Sequence, residues 1–226
     1  TFHLRGAIFA VIVPNPEMNQ TVIEKIDEYF SRPLCINKVT TQACGNFCCL
    51  TFPDSFNNFY DMLSLMNYAL TETEHTPSER IIYGDTELLS RKKRDTQITS
   101  LLTDSIQLQS FEVYYQPVYS VKNGLYESAE ALVRMFAVDG SMIPPDDFIP
   151  KAEKTGQIIS VGEIVLDKTC RMISEQNPQQ YGIKNIKVNL SAVQCMQSGL
   201  AERLLEIIDG HKIPHSMLNF EITESV

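Results

Sequence analysis

Three short stretches of the sequence combine residue types that could act on a phosphate ester. The first is Glu130-Ala131-Leu132-Val133-Arg134. Side chains alternate along an extended chain, so Glu130, Leu132 and Arg134 share one side. An acid and a guanidinium on one strand face are costly to bury unless a metal, an anion or a partner meets them. Arg suits phosphate because its planar fork donates two parallel hydrogen bonds. A mutual Glu130–Arg134 ion pair closing a strand edge fits the same spacing. The second stretch is Ile186-Lys187-Val188-Asn189-Leu190-Ser191, with Asn189 at the end of a short apolar run. Its side-chain oxygen suits a hard cation; taken alone, a helix cap or turn is the commoner role of such a residue. The third is Asn219-Phe220-Glu221-Ile222-Thr223-Glu224. Glu221 lies near a strand end and Glu224 in the loop after it, an arrangement that also describes a solvated strand end. Together, Glu130, Asn189 and Glu221 place oxygen ligands near the C-terminal ends of successive strands, where parallel α/β folds gather their active sites. Oxygen-only ligands favour Mg²⁺ or Mn²⁺ over zinc. A dication beside an Arg fits phosphodiester hydrolysis, the metal polarising phosphorus and lowering the pKa of a bound water.

These residues need strands to hold them. From Phe111 onward, strands are expected at 111–118, 128–135, 184–190 and 218–222, with Asn123-Gly124 as a turn. Pro144-Pro145 breaks the chain before a short helix over 148–154. A longer helix follows Gly156, with Ile164, Val165, Leu166, Cys170 and Met172 on its apolar side, and another covers 200–208. The order β-α-β-α-β with crossover-length intervals predicts parallel units, in a barrel or a doubly wound sheet. Before residue 72 the reading is β-α-β-β-α, an α/β sandwich pattern. There the apolar run 7–13 reads as a buried strand, 22–30 as an amphipathic helix, 35–39 and 43–52 as strands, and 59–70 as a second helix. Residues 73–110 are polar: a loop over 71–78, then a helix from about Asp85 carrying Arg91-Lys92-Lys93-Arg94 on a solvated face.

Composition narrows the function classes. The chain has 226 residues, 43% hydrophobic and 21% charged, near ordinary globular values. No stretch approaches the ~18 consecutive apolar residues of a membrane span. A net charge of −9 argues against a broad basic groove for a nucleic-acid polymer. The sequence opens at Thr1 in apolar sequence with no signal-peptide pattern, so the numbering is expected to begin inside a longer protein, with any membrane tether outside this segment. The six cysteines show no Cys-x-x-Cys pair or Cys/His zinc pattern and are expected to be buried free thiols in a reducing cytoplasm.

From Phe111 the sequence resembles the EAL family of bacterial cyclic di-GMP phosphodiesterases. Tyr115-Gln116-Pro117-Val118 is similar to the family's opening Tyr-Gln-Pro-Ile, and Glu130-Ala131-Leu132 with Arg134 to its Glu-x-Leu-x-Arg. Phe148-Ile149-Pro150-Lys151-Ala152-Glu153, Asn189-Leu190-Ser191 and Glu221-Ile222-Thr223-Glu224 resemble three further signatures, in the family's order. The resemblance implies a TIM-like (β/α) barrel whose first strand runs against the others. It implies two divalent cations, Mg²⁺ or Mn²⁺, and hydrolysis of cyclic di-GMP to linear pGpG. By motif position Glu130, Asn189 and Glu221 would ligate metal, with Glu130 catalytic. Arg134 would contact a substrate phosphate, Gln116 would lie in the substrate pocket, and Glu224 would hold a loop that orders the metal site and a homodimer interface. The chain ends at Val226, ahead of the family's Asp-Asp pair, catalytic Lys, and later Glu and Gln. A partial barrel is therefore expected, and the segment alone is expected to aggregate and show no turnover.

Residues 1–72 resemble the second half of a GGDEF domain, the diguanylate cyclase module that commonly precedes EAL. Leu4-Arg5-Gly6-Ala7-Ile8-Phe9-Ala10-Val11 aligns with Leu-Gly-Gly-Asp-Glu-Phe-Ala-Val, and Met66-Asn67-Tyr68-Ala69-Leu70 with a late helix. Arg5 stands in place of a Gly, and Ala7-Ile8 in place of the metal-binding acids, which implies no cyclase activity. The expected organisation is a partial GGDEF-type sandwich over 1–72, an interdomain loop and linker helix over 73–110, and a partial EAL barrel over 111–226. The expected function is cyclic di-GMP hydrolysis with the cyclase-like half as a regulatory module. The alternative is a non-catalytic cyclic di-GMP receptor or protein-interaction module with a lapsed barrel.

Overall fold

The structure is a computed structural model of the chain, described over residues 1–36, 39–41, 45–51, 58–75 and 80–223. It divides into two units, Thr1–Arg94 and Asp95–Val226.

In the first unit, β1 (Phe2–Arg5) and β2 (Ile8–Ala10) form an antiparallel hairpin, followed by α1 (Asn19–Ser31). A second hairpin joins β3 (Leu34–Ile36) to β4 (Val39–Thr41). Then come β5 (Phe47–Leu50), α2 (Phe59–His75) and β6 (Ile81–Gly84), with β5 and β6 parallel. Leu65 and Ala69, one helical turn apart on α2, pack with Ile82 and Leu88 as the unit's buried core. Arg80 ties the unit together, donating to the Gly45 carbonyl and pairing with Asp27 of α1 at 2.6 Å.

Several expectations for this unit need correcting. The apolar run 7–13 is not a buried strand: β2 is short, and Phe9 and Ile12 are 60% and 74% exposed. A two-stranded hairpin cannot bury its own faces, and among the described residues β2 pairs with β1 alone. Of the strands expected over 35–39 and 43–52, the described residues of the first belong to two antiparallel strands, β3 and β4, and the described strand within the second is Phe47–Leu50. The polar segment holds β6, which no periodicity in 73–85 foretold, and α2 runs on to His75 where a loop was expected.

Helix α3 (Thr86–Gln107) starts in the first unit, where the Asp85 carboxylate accepts from the Leu88 N–H at 2.8 Å and so caps it. Its basic stretch is not uniformly solvated. Lys92 is half-buried and donates to the Ser64 hydroxyl, while Arg91, Lys93 and Arg94 are exposed.

The second unit is built on one sheet. Its elements are β7 (Glu112–Ser120), β8 (Leu125–Phe136), β9 (Met142–Ile143), α4 (Pro145–Thr155), α5 (Ile158–Gln176), β10 (Asn185–Ser191), α6 (Ala192–Cys195), α7 (Leu200–Gly210) and β11 (Leu218–Thr223). The strand order is β11-β10-β8-β7, with β9 on β8. Strands β8, β10 and β11 are mutually parallel, and β7 runs antiparallel to β8. The first strand of the sheet thus opposes the rest, as the resemblance implies.

The parallel pairs are joined through helices, which the crossover rule requires. Ala129, Ala131, Met135, Ile186 and Val188 point to the helical side, where Phe148, Ala152, Val161, Leu166 and Cys170 cover them. Gly156 ends α4 in the left-handed region (φ 75°), and α5 begins two residues later. The Lys168 ammonium of α5 donates to the carbonyls of Gln109 and Phe111 and fixes the entry to β7.

The thiols depart in part from expectation. All five described cysteines are free, but only Cys170 is buried; Cys48 and Cys49 are half-buried, and Cys35 and Cys195 exposed. Cys35 lies on the small β3–β4 hairpin and Cys195 ends the short α6, and neither element has a layer large enough to cover it. Cys44 lies outside the described residues. Burial pushes the Cys48 and Cys170 thiols up to about 12, because the thiolate loses hydration there.

Candidate functional site

The helices cover one face of the second unit's sheet, so the residues of opposite phase fall on the other face. Strand register brings them into rows. Gln116 of β7 lies opposite Glu130 of β8, Glu130 lies opposite Lys187 of β10, and Asn189 lies opposite Glu221 of β11. Three of the stretches singled out by spacing thereby meet, although Glu130 and Glu221 are far apart in sequence.

The contacts are short. The Asn189 Nδ2 donates to Glu130 Oε1 at 2.7 Å. The Lys187 Nζ lies 2.6 Å from Glu221 Oε1. This hydrogen bond, then the Glu221 charge and more weakly that of Glu130, hold the Lys187 ammonium above the ordinary lysine range. Glu130, Arg134, Lys187, Asn189 and Glu221 are all partly exposed, and Gln116 is exposed, so a ligand can reach them.

The expected alternative of a Glu130–Arg134 ion pair is not what forms. Glu130 is engaged by Asn189, while Arg134 donates Nη1 to the Val133 carbonyl at 2.8 Å and stacks its guanidinium 5.6 Å from the Tyr114 ring centre. The two lie four positions apart on β8, about 13 Å of extended chain at about 3.3 Å per residue, which sets them on the same face but in different rows. Arg134 instead lies opposite Glu112 in the β7–β8 register.

Local structure holds Asn189 in place. The strand ends at Ser191, whose hydroxyl accepts from the Gln194 N–H at 3.3 Å while the Gln194 side chain accepts from the Ser191 N–H at 3.0 Å. This reciprocal cap starts α6. Gln194 is buried against Gly162 of α5, where a Cβ would come within 2.1 Å of its amide nitrogen. Close packing of helix on cap therefore fixes the C-terminal end of β10, just beyond the candidate ligand.

Lys187 was missed by reasoning from spacing. It lies two residues before Asn189, so alternation puts both on one face, but its partner Glu221 is visible only once the β10–β11 register is known. Glu224 lies outside the described residues. The stretch Arg5, Gly6, Ala7, Ile8 and Phe9 forms the β1–β2 hairpin of the first unit, with Gly6 and Ala7 at its turn. No carboxylate stands at Ala7 or Ile8. The His3 ring lies 4.9 Å from that of Phe9 and its Nε2 is 2.8 Å from the Gly6 carbonyl.

The donor set suits a hard cation. Glu130, Asn189 and Glu221 supply oxygens only, on one face of adjacent strands. A cation already sits there, since the Lys187 ammonium contacts Glu221 within reach of the Glu130 field. Among the described residues no group of three or more His, Cys, Asp or Glu side chains comes together, so the set is two carboxylates and one amide. Among them also, no helix is long and apolar enough to cross a membrane.

Known proteins and families resemble this chain. A family model described as EAL domain matches residues 100–226. The bifunctional diguanylate cyclase/cyclic di-GMP phosphodiesterase MucR of Pseudomonas aeruginosa is 25% identical over 224 residues, 98% of this chain and 33% of its own length. The signaling protein YkoW of Bacillus subtilis is 25% identical over 202 residues, 89% of this chain and 25% of its own. The chain thus spans a third or less of these curated relatives. Among solved structures, the PaMucR phosphodiesterase in complex with c-di-GMP is 33% identical with a TM-score of 0.51, covering 55% of this chain and 50% of that one. The residues matched by the family model lie within the second unit and make up more than half of the sequence, and the chain belongs to the EAL domain family.

Proposed function

We propose that the protein is a cyclic di-GMP phosphodiesterase that opens the cyclic dinucleotide to linear pGpG. The observation that carries this reading is the row on the open sheet face, where Asn189 donates to Glu130 and Lys187 pairs with Glu221 on adjacent strands. In the reaction the oxygen of water bonds to phosphorus, one bridging P–O3′ bond breaks, and the released 3′ oxygen takes a proton. Glu130, Asn189 and Glu221 would hold Mg²⁺ or Mn²⁺, with Glu130 the ligand closest to the chemistry. A dication there supplies Lewis-acid polarisation of the phosphodiester and acidifies water.

The other residues recognise the substrate. Arg134 is held by the Val133 carbonyl and the Tyr114 ring, so its planar fork is oriented before a phosphate arrives. Gln116, on the neighbouring strand opposite Glu130, would contribute an amide to substrate binding. Glu224 would anchor the loop after β11, and with it a homodimer contact. A net charge of −9 does not oppose binding of an anion whose phosphates are met locally by metal and Arg134.

Residues 1–72 are proposed as part of a GGDEF-type domain without cyclase activity, acting as a regulatory module. Ala7 and Ile8 at the hairpin leave no carboxylate to hold Mg²⁺ there. The test is incubation of the full-length protein with cyclic di-GMP and Mn²⁺, following pGpG. Release of pGpG that Glu130→Ala abolishes is the expected result. Binding without release in the unaltered protein would make it a receptor instead.

A further inference from the structure

The Lys187–Glu221 contact is not demanded by the fold. Lys187 lies on β10, between β8 and β11, opposite Glu130 on one side and Asn219 on the other. Its side chain is 27% exposed and long enough to turn its ammonium to water. Instead the ammonium sits 2.6 Å from Glu221 Oε1, on the face that also carries Glu130 and Asn189. The contact removes one oxygen of a proposed metal ligand.

A dication and an ammonium cannot both take that oxygen. Their charges repel, and at contact distance in a partly shielded site this repulsion is strong. Without any cation, Glu130 and Glu221 would face each other across one intervening strand as unbalanced like charges. The ammonium relieves that cost when no metal is present.

We propose that Lys187 is a tethered stand-in for the metal: it closes on Glu221 in the metal-free protein and must be displaced before a divalent cation binds. Lys187 is then a positioning residue that lowers divalent-ion affinity and keeps the empty site folded. The inference rests on the reading of Glu221 as a metal ligand, and the variants below separate the two.

Mn²⁺ binding to the full-length protein, without nucleotide, is measured by calorimetry and by the paramagnetic resonance of free Mn²⁺, alongside thermal melts with and without the ion. Lys187→Met is expected to bind Mn²⁺ about tenfold more tightly than the unaltered protein, in the range by which groups around a metal site change its affinity. Its metal-free melting temperature falls, and Mn²⁺ raises that temperature by more than in the unaltered protein. Lys187→Arg keeps the charge and is expected within about threefold of the unaltered affinity. A folding defect would weaken Mn²⁺ binding, never tighten it. Equal or weaker Mn²⁺ binding by Lys187→Met, with Glu221→Gln abolishing binding, overturns the inference and leaves the metal site standing. Unchanged Mn²⁺ binding in Glu221→Gln, or no binding in any of the proteins, overturns the metal-site reading and the inference with it.

Discussion

The two units of the chain distribute their apolar residues differently. In the first, four side chains (Leu65, Ala69, Ile82 and Leu88) make the buried cluster among the described residues, and the strands come in separate pairs. In the second, twenty buried side chains among the described residues form one cluster beneath a continuous five-stranded sheet. The first unit also leaves Phe2, Phe9 and Ile12 largely exposed. A sheet wide enough to be covered by helices on one face gains its stability there, and its other face is free to carry charge. The acids, amide and lysine of the second unit use that freedom. Under the proposed function, stability and chemistry fall on opposite faces of the same strands.

The strongest way to break this contrast uses the thiols. Burial pushes both Cys48 and Cys170 up to about 12, so at pH 8 the reactive thiolate is a very small minority of each. In the folded protein iodoacetamide should modify Cys35 and Cys195 while sparing both, and raising the pH should speed the buried sites. With increasing urea, Cys48 should become reactive before Cys170, because the smaller core opens first. Mass spectrometry of the labelled peptides reads the order, and simultaneous exposure would mean that the units unfold as one.

Core truncation has the next largest effect. Phe148→Ala removes a fully buried ring and is expected to cost about 3–5 kcal/mol, whereas Leu88→Ala in the smaller cluster should cost about 2–3 kcal/mol. Denaturant melts of each variant give the values. Smaller again is Gly162→Ala, where the new methyl meets the buried Gln194 amide; about 1–2 kcal/mol is expected. That variant should also weaken Mn²⁺ binding through the end of β10, a coupling that no change in the first unit should produce. The smallest effects belong to the exposed positions. Phe9→Ser should change stability by no more than about 0.5 kcal/mol. Glu221→Gln, a partly exposed ion-pair member, should shift stability by less than about 1 kcal/mol and yet abolish pGpG release. A large loss of stability in Glu221→Gln would break the separation of faces.

Local patterns carried much of the second unit. The 3.6-residue spacing of Val161, Ile164, Val165 and Leu166 marks α5, and period-two alternation sets Glu130 with Arg134 and Asn189 with Lys187 on one face each. The parallel order followed from interval lengths alone. Register did not follow, since nothing in a single sequence says that residue 187 lies between residues 130 and 219. Lys187 was therefore passed over, and a Glu130–Arg134 pair stood as an open alternative. The first unit was less legible because burial there depends on what covers a strand. Residues 7–13 look like core by composition, but none of them is buried, because β2 covers Ile8–Ala10 alone and pairs only with β1 among the described residues. Ile81-Ile82 is too short an apolar run to announce β6, which exists because β5 offers it a parallel edge.

The crossover geometry also orders events in time. The β7–β8 hairpin closes through the short turn at 121–124, a local step of microseconds. The Asn189–Glu130 bond spans 59 residues, and α4 and α5 must form and dock before β10 finds its place beside β8. Contacts so distant in sequence carry a loop-closure cost before they gain anything. The residues that would do the chemistry are thus brought together last. In pulsed hydrogen exchange during refolding, amides of 112–134 should gain protection ahead of those of 185–191, so a partly folded molecule on this route would have its hairpin and no metal site.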